Sequence, residues 1–115
     1  MRFKNNAARG GVLEHVYMRD VTVGQVADAV LQIDFLYEEG ANGDFTPIVR
    51  DVEMRNVSSR KSKYALYLRG LEKGTIADIR VIDCTFDQVA NPNVVERVEG
   101  LVNRNTKING QLINT

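Results

Sequence analysis

The clearest pattern in the sequence is a short alternation of apolar and polar residues that is interrupted once and then resumes. Val16 and Met18 alternate with more polar neighbours, as the residues of a half-buried strand do. Asp20 interrupts the alternation, and Val21 and Val23 then resume it. The pattern therefore predicts two short strands that meet at a sharp corner.

Versions of this segment recur three more times along the chain. The four corner residues are separated by intervals of 36, 27 and 22 residues, and they are Asp20, Asn56, Asp83 and Asn105. Asp and Asn tolerate the left-handed backbone conformation and can hydrogen-bond nearby backbone groups, so they suit a sharp corner. A solvated turn would explain any single copy, but four copies in one register indicate stacked units. We therefore predict a ladder of corner residues.

A second apolar segment accompanies the first in each unit. Residues 29–35 form it in the first unit, and residues 65–69 are its counterpart 36 residues later. Because two separate segments keep the same interval, we expect equivalent strands to lie above one another in parallel sheets. The predicted fold class is all-β, with residues 1–115 forming one domain.

Two polar segments separate these strands. Residues 37–47 are acidic, contain glycine and end in Pro47, which predicts a loop that leaves the stack. Insertions of this kind often carry the binding function of a solenoid. Residues 58–64 are polar and basic, and we interpret them as a solvated connection rather than as a nucleic-acid patch.

The composition is that of an ordinary globular chain. Hydrophobic residues make up 43%, and the 15 Lys and Arg residues balance the 15 Asp and Glu residues. This charge balance favours neither a nucleic-acid nor a membrane partner, and no signal peptide or apolar run of membrane length is visible. The single cysteine, Cys84, occupies the inward position of Val21 and Val57, so we predict a small buried side chain. One His and one Cys without ligand spacing indicate no metal site, and no cofactor is implied.

The two ends of the predicted stack differ in polarity. Asn103 and Thr106 stand in the last copy where Met18 and Val21 stand in the first. Polar residues at inward positions suit a capped terminal coil, whereas the first copy begins with an apolar row. We therefore expect the chain to be a piece of a longer solenoid. Its exposed first coil is also a surface through which a homo-oligomer could form.

Several segments in this order resemble a known family. Arg2-Phe3-Lys4 is followed by Arg9-Gly10-Gly11, a strand, the loop at 35–38 and the segment 64–70. Together they resemble the C-terminal part of the polygalacturonases, family 28 of the glycoside hydrolases, and look closest to bacterial exo-acting members. The resemblance implies a right-handed parallel β-helix of the pectin lyase type. About three to four coils of it would lie in residues 1–115, truncated at the N-terminal side.

The resemblance also implies a substrate and binding residues. Relatives hydrolyse the α-1,4 bonds of galacturonan, the acidic polysaccharide of pectin, by an inverting mechanism. Arg2 and Lys4 match the family's Arg-Ile-Lys motif, with Phe3 in place of Ile, and Tyr37 is similar to its groove tyrosine. Residues two apart in a strand share a face, and guanidinium and ammonium groups both bind carboxylates. Arg2, Lys4 and Tyr37 are therefore the expected substrate-binding residues.

The catalytic residues of the family are absent from this sequence. In relatives they come from an Asn-Thr-Asp motif and an Asp-Asp pair, with a Gly-His-Gly histidine nearby, and none of these occurs here. His15 is followed by Val16, and we predict a surface histidine without a catalytic role. Glu38-Glu39 is an adjacent acidic pair, but a loop gives no reason for its two pKa values to differ. We expect the chain alone to be inactive and its parent to be exported to the periplasm or outside the cell.

Two alternatives from other functional classes stay open at this point. The first is a non-catalytic β-solenoid module that binds an acidic glycan. The second is a structural or assembly repeat, for which self-association without glycan affinity would be expected. The sequence does not separate endo from exo action or give the methylation of the substrate.

Overall fold

The computed structural model describes residues 2–4, 11–35, 47–70 and 75–114. These ranges are all-β. Their strands are β1 (Arg2–Lys4), β2 (Gly11–Gln25), β3 (Ala29–Asp34), β4 (Pro47–Lys61), β5 (Tyr64–Arg69), β6 (Thr75–Ile82), β7 (Thr85–Phe86), β8 (Val94–Glu96), β9 (Val98–Glu99), β10 (Val102–Arg104), β11 (Thr106–Ile108) and β12 (Gln111–Ile113). No helix in the described ranges is long and apolar enough to span a membrane.

The strands form two sheets between which the chain passes repeatedly. Sheet A has the order β1-β3-β5-β8, and all of its pairs are parallel. In sheet B, β2 pairs with β4, β4 with β6 and β7, and the short strands β9 to β11 follow, again in parallel. We define a coil as the sheet B strands together with the sheet A strand that follows them. The prediction of parallel stacked strands is therefore confirmed.

The register of sheet B follows the intervals read from the sequence. Val16 pairs with Val52, and Val52 pairs with Ile79. Farther along the stack, Arg80 pairs with Val102. These pairs are 36, 27 and 22 residues apart, as the corner residues are in the sequence. Side-chain hydrogen bonds between successive coils join residues at the same three intervals.

The register of sheet A differs by one residue from the prediction. Ala29 pairs with Tyr64, so the interval of 36 that matched Ala29 with Ala65 was wrong. The chain needs residues 26–28 to reach β3 after Gln25 but only residues 62–63 to reach β5 after Lys61. The actual register aligns buried apolar rows, since Leu31 pairs with Leu66 and Ile33 with Leu68. A slip of one residue would turn these rows outward.

The predicted corner residues all adopt the left-handed backbone conformation. Their φ angles are 56° at Asp20, 54° at Asn56, 54° at Asp83 and 50° at Asn105. The ladder forms in pairs, because Asn56 Nδ2 donates to Asp20 Oδ1 at 2.7 Å and Asn105 Nδ2 donates to Asp83 Oδ1 at 2.9 Å. The prediction for these corners is confirmed.

A second column of corners lies five residues upstream and escaped the sequence analysis. His15, Asp51, Asp78 and Gly100 have φ angles of 60°, 55°, 54° and 67°. They occupy equivalent places in successive coils, because their flanking residues pair. Strands β2 and β4 are therefore each bent twice, and in the later coils the corners at Asp83, Gly100 and Asn105 separate shorter strands.

The core is a single apolar cluster between the sheets. Its largest fully buried side chains include Phe35, Phe86, Leu31, Ile33 and Met54. Cys84 is buried as predicted. Residues 58–61 belong to β4, and Ser59 and Ser62 are buried, so the prediction of a solvated connection over 58–64 was wrong.

The two ends of the described stack differ in how they are covered. On β2, the inward residues Leu13, Val16, Met18 and Val21 are only partly buried, whereas their counterparts on β4 are buried. At the other end, β12 folds back antiparallel on β11. Its turn contains Asn109 and Gly110 at φ 52° and 81°, as an Asn-Gly hairpin turn requires. Thr106 is fully buried, and its Oγ1 donates to the carbonyl of Val81 at 3.0 Å.

Candidate functional site

The motif Arg2-Phe3-Lys4 forms β1, which is an edge strand of sheet A. Arg2 pairs with Gln32, and Lys4 pairs with Asp34. Strand alternation places Arg2 and Lys4 at positions of one face. The predicted residue Tyr37 and the acidic pair Glu38-Glu39 lie outside the described residues.

Arg2 and Lys4 each begin a row of paired positions that crosses the outer face of sheet A. Leu31 and Ile33 face the core, so the alternating positions 32 and 34 face outward. The pairing extends these positions into two rows, which are Arg2, Gln32, Tyr67 and Val94, and Lys4, Asp34, Arg69 and Glu96. Cationic and anionic residues alternate along the second row.

Side chains of β5 and of the residue before it form a chain of contacts that includes Tyr67 and Arg69 on this face. Arg69 Nε donates to Asp34 Oδ1 at 3.3 Å, and the guanidinium carbon of Arg69 lies 5.5 Å from the centroid of the Tyr67 ring. The rings of Tyr67 and Tyr64 meet edge to face with centroids 5.1 Å apart. Lys63 Nζ lies 5.9 Å from the centroid of the Tyr64 ring. Aromatic rings flanked by cations suit a ligand that has both apolar ring faces and negative charge.

A second polar cluster lies on sheet B and is centred on Asp51. The Asp51 carboxylate accepts hydrogen bonds from the hydroxyl of Tyr17 at 2.5 Å and from Arg80 Nη2 at 2.7 Å. Nδ1 of His15 lies 2.5 Å from the same carboxylate. The hydrogen bond from Tyr17, followed by those from Arg80 and His15, lowers the pKa of Asp51. The same bond raises the pKa of Tyr17.

Glu53, one outward position farther along β4, is the second centre of this cluster. Its buried carboxylate accepts hydrogen bonds from Arg19 Nη2 at 3.0 Å, Arg80 Nε at 3.2 Å and Arg55 Nε at 3.4 Å. The bond from Arg55 is the largest cause of the lowered pKa of Glu53. Arg80 thus joins both carboxylates, and its own pKa is raised, first by Asp51.

This cluster lacks the property that a general acid needs. A catalytic acid requires a raised pKa, whereas Glu14, Asp51 and Glu53 are all shifted downward by hydrogen bonds from cations or a hydroxyl. The arrangement holds neighbouring coils together. Sequence reasoning missed it, although the intervals of 36 and 27 residues already align Tyr17, Glu53 and Arg80. His15 is exposed as predicted, and its Nδ1 contacts the Asp51 carboxylate of the next coil.

The described residues offer little for metal or thiol chemistry. No group of three or more His, Cys, Asp or Glu side chains within the described ranges comes together in a way that could hold a metal ion. Burial raises the pKa of the Cys84 thiol, which disfavours the reactive thiolate.

The structure is similar to that of an enzyme of known activity. It superposes on the crystal structure of a hyperthermoactive exopolygalacturonase from Thermotoga maritima with a TM-score of 0.90 and 28% sequence identity. The match covers 97% of this chain and 25% of the other, so this chain spans about a quarter of the length of the exopolygalacturonase chain. The described strands therefore have a polygalacturonase-like fold. The chain matches no protein-family model and no curated protein.

Proposed function

We propose that the chain is the C-terminal part of a polygalacturonase-like glycoside hydrolase of family 28. In this proposal the strands form about three to four coils of a right-handed parallel β-helix. The whole protein is exported and hydrolyses α-1,4 bonds of galacturonan by an inverting mechanism. The observation that carries the proposal is the similarity to an exopolygalacturonase over 97% of the chain at 28% identity.

The proposed role of this chain is to form part of one wall of the substrate groove. Arg2 and Lys4 are strand neighbours of Gln32 and Asp34 at the edge of sheet A. A guanidinium can hold a uronate carboxylate through two parallel hydrogen bonds, and an ammonium adds a compact charge beside it. Tyr37, in the segment that the sequence predicts to be a loop, would add a hydroxyl or a ring face.

The proposal assigns no catalytic residue to this chain. An inverting glycosidase needs one carboxyl group with a raised pKa and a second carboxylate across the bond from it. The described carboxyl groups whose pKa values shift, Glu14, Asp51 and Glu53, all shift downward. We therefore expect the 115-residue chain to release no reducing sugar from polygalacturonate. Measurable hydrolysis by the pure chain would contradict the assignment of the catalytic acids to another part of the protein.

Binding to oligogalacturonates tests the groove assignment. We expect the folded chain to bind galacturonate oligomers, as read by shifts in two-dimensional NMR spectra, and the double variant Arg2→Ala, Lys4→Ala to lose this affinity. The matched control is Arg104→Ala, Lys107→Ala, which removes the same charge from exposed positions of sheet B. Equal losses in both double variants would indicate a nonspecific charge effect and contradict the proposal.

The non-catalytic module is the second candidate, and the charge-paired carboxylates of the described coils favour it. A non-catalytic module gives the same binding result. It also predicts that galacturonan is not cleaved by any larger protein that contains these coils. An assay of reducing-sugar release by the full-length parent therefore separates the two candidates.

A further inference from the structure

A row of two aromatic side chains with a cationic side chain at each end lies along β5 and the residue before it. We call Lys63, Tyr64, Tyr67 and Arg69 the aromatic–cationic strip. Each neighbouring pair is in contact, with cation-to-ring distances of 5.9 Å and 5.5 Å at the two ends and 5.1 Å between the ring centroids. Tyr64, Tyr67 and Arg69 are half-buried, so part of each residue packs against the protein and part stays accessible to solvent.

Two members of the strip, Tyr67 and Arg69, lie on the same face of sheet A as the positions of Arg2 and Lys4. Tyr67 is two strands away from Arg2 in one row, and Arg69 is two strands away from Lys4 in the other. Neighbouring strands lie about 4.8 Å apart, so the strip begins about 10 Å from β1 along the stack. A ligand that spans this distance passes Gln32 and Asp34, which occupy the strand between.

The cations of the strip retain donors for a ligand. Within the described part of the chain, the guanidinium of Arg69 donates only through Nε, to Asp34, and this bond is long at 3.3 Å. Its two Nη groups are not used by that bond. Lys63 is exposed and forms no ion pair with a described residue. Two cations whose remaining donors bond no described residue, beside two half-buried aromatic rings, fit a sugar ring that carries a carboxylate.

We infer that the aromatic–cationic strip is an additional subsite for an acidic oligosaccharide, in which a uronate ring packs on Tyr67 and its carboxylate contacts Arg69 or Lys63. This inference rests on the proposed function, because it extends the groove that begins at Arg2 and Lys4. The ligand is an oligogalacturonate long enough to reach from β1 to β5. A short ligand held at Arg2 and Lys4 leaves the strip empty.

The test compares ligands of two lengths. Binding of the galacturonate dimer and hexamer to the 115-residue chain is measured by NMR titration, with circular dichroism as the check on folding. Wild-type chain should bind the hexamer more tightly than the dimer. Tyr67→Leu should weaken hexamer binding about tenfold, because it removes the ring but keeps apolar packing, and leave the dimer unchanged. Tyr67→Phe should keep the wild-type values.

A second variant avoids dependence on the half-buried tyrosine. Lys63→Ala should weaken hexamer binding about threefold and leave dimer binding unchanged, whereas the control Lys61→Ala, at a nearby exposed position, should change neither.

Hexamer affinity that survives both Tyr67→Leu and Lys63→Ala would overturn the inference, as would equal losses of affinity for dimer and hexamer. If Arg2→Ala, Lys4→Ala still abolishes binding in that case, the proposed function stands without the subsite. A folded wild-type chain that binds neither ligand would overturn both.

Discussion

Asn56 donates a hydrogen bond from its side-chain amide to the Asp20 carboxylate at 2.7 Å, one coil away, and both residues have left-handed backbone angles. The same pair of residue types recurs at Asn105 and Asp83. Alternating Asn and Asp is chemically favourable, because the amide supplies the donor that two stacked carboxylates would lack. The corners therefore bend each strand and also fasten neighbouring coils.

Replacing Asn56 separates these two roles. Asn56→Ala removes the hydrogen bond. It also places alanine at φ 54°, where it lacks the side-chain hydrogen bond that lets asparagine adopt this angle. We therefore expect the free energy of unfolding to fall by about 1 to 3 kcal/mol. Asn56→Gly removes the same bond but tolerates the angle, and it should cost less. Urea denaturation at constant m-value measures both. An Asn56→Ala variant as stable as the wild type would show that the ladder contributes nothing to stability.

Acid should weaken the cluster around Asp51. Hydrogen bonds from Tyr17, Arg80 and His15 lower the pKa of Asp51 in the folded state below its ordinary value of 3.8. A group with a depressed folded pKa stabilises the protein above its unfolded pKa, and this contribution disappears as the pH falls toward the folded pKa. We therefore expect the Asp51 contribution to be complete at pH 7 and to decline once the pH drops below about 4 to 5.

Asp51→Asn isolates this effect because asparagine tolerates the φ of 55° at that corner. The variant should be less stable than the wild type at pH 7, and the difference should shrink at pH 3. Asp87→Asn removes the same charge at an exposed position and is the control. Urea midpoints at pH 7, 5, 4 and 3 provide the measurement. A difference that stays constant across this range would contradict the linkage.

The sequence predicted the stacking well where the chemistry is local to each repeat. Asp20, Asn56, Asp83 and Asn105 are residue types that suit left-handed corners, and their spacing was visible without a structure. The second corner column was harder to see, because His15 and Gly100 share no residue type with Asp51 and Asp78. Only the common interval joins them.

Features that depend on neighbouring coils were less predictable. The first interval in sheet A is one residue shorter than the first interval in sheet B, because connections of different length precede β3 and β5. The cluster of Asp51, Glu53 and Arg80 arises only when two neighbouring coils are in register. The subsite proposed at Tyr67 and Arg69 likewise depends on their distance from β1, which periodicity alone does not give.

A close approach of two backbones gives a sharp prediction at Gly70. A Cβ added there would lie 2.6 Å from the carbonyl oxygen of Arg97, so the next coil would have to shift. We expect Gly70→Ala to lower the free energy of unfolding by about 1 to 3 kcal/mol. Gly24→Ala is the matched control, since its nearest atom would be the tip of Arg60 at 3.6 Å, and it should change stability by less than about 0.5 kcal/mol. Equal stability of the two variants in urea would contradict the contact.

The apolar row of β2 predicts self-association of the isolated chain. Leu13, Val16, Met18 and Val21 are only partly buried, and within the described residues β2 pairs on one side, with β4. An unpaired strand edge beside an apolar row favours contact with another chain, and a lysine placed in that row opposes it. Sedimentation equilibrium should therefore give a mass above 12.9 kDa that rises with concentration, and Met18→Lys should return it to the monomer. Thr22→Lys adds the same charge at an exposed position of the same strand and should leave the association intact.

Two outcomes would contradict this prediction. If the wild-type chain is a folded monomer at every concentration, β2 is not an association surface. If both lysine variants dissociate equally, charge rather than the apolar row controls assembly.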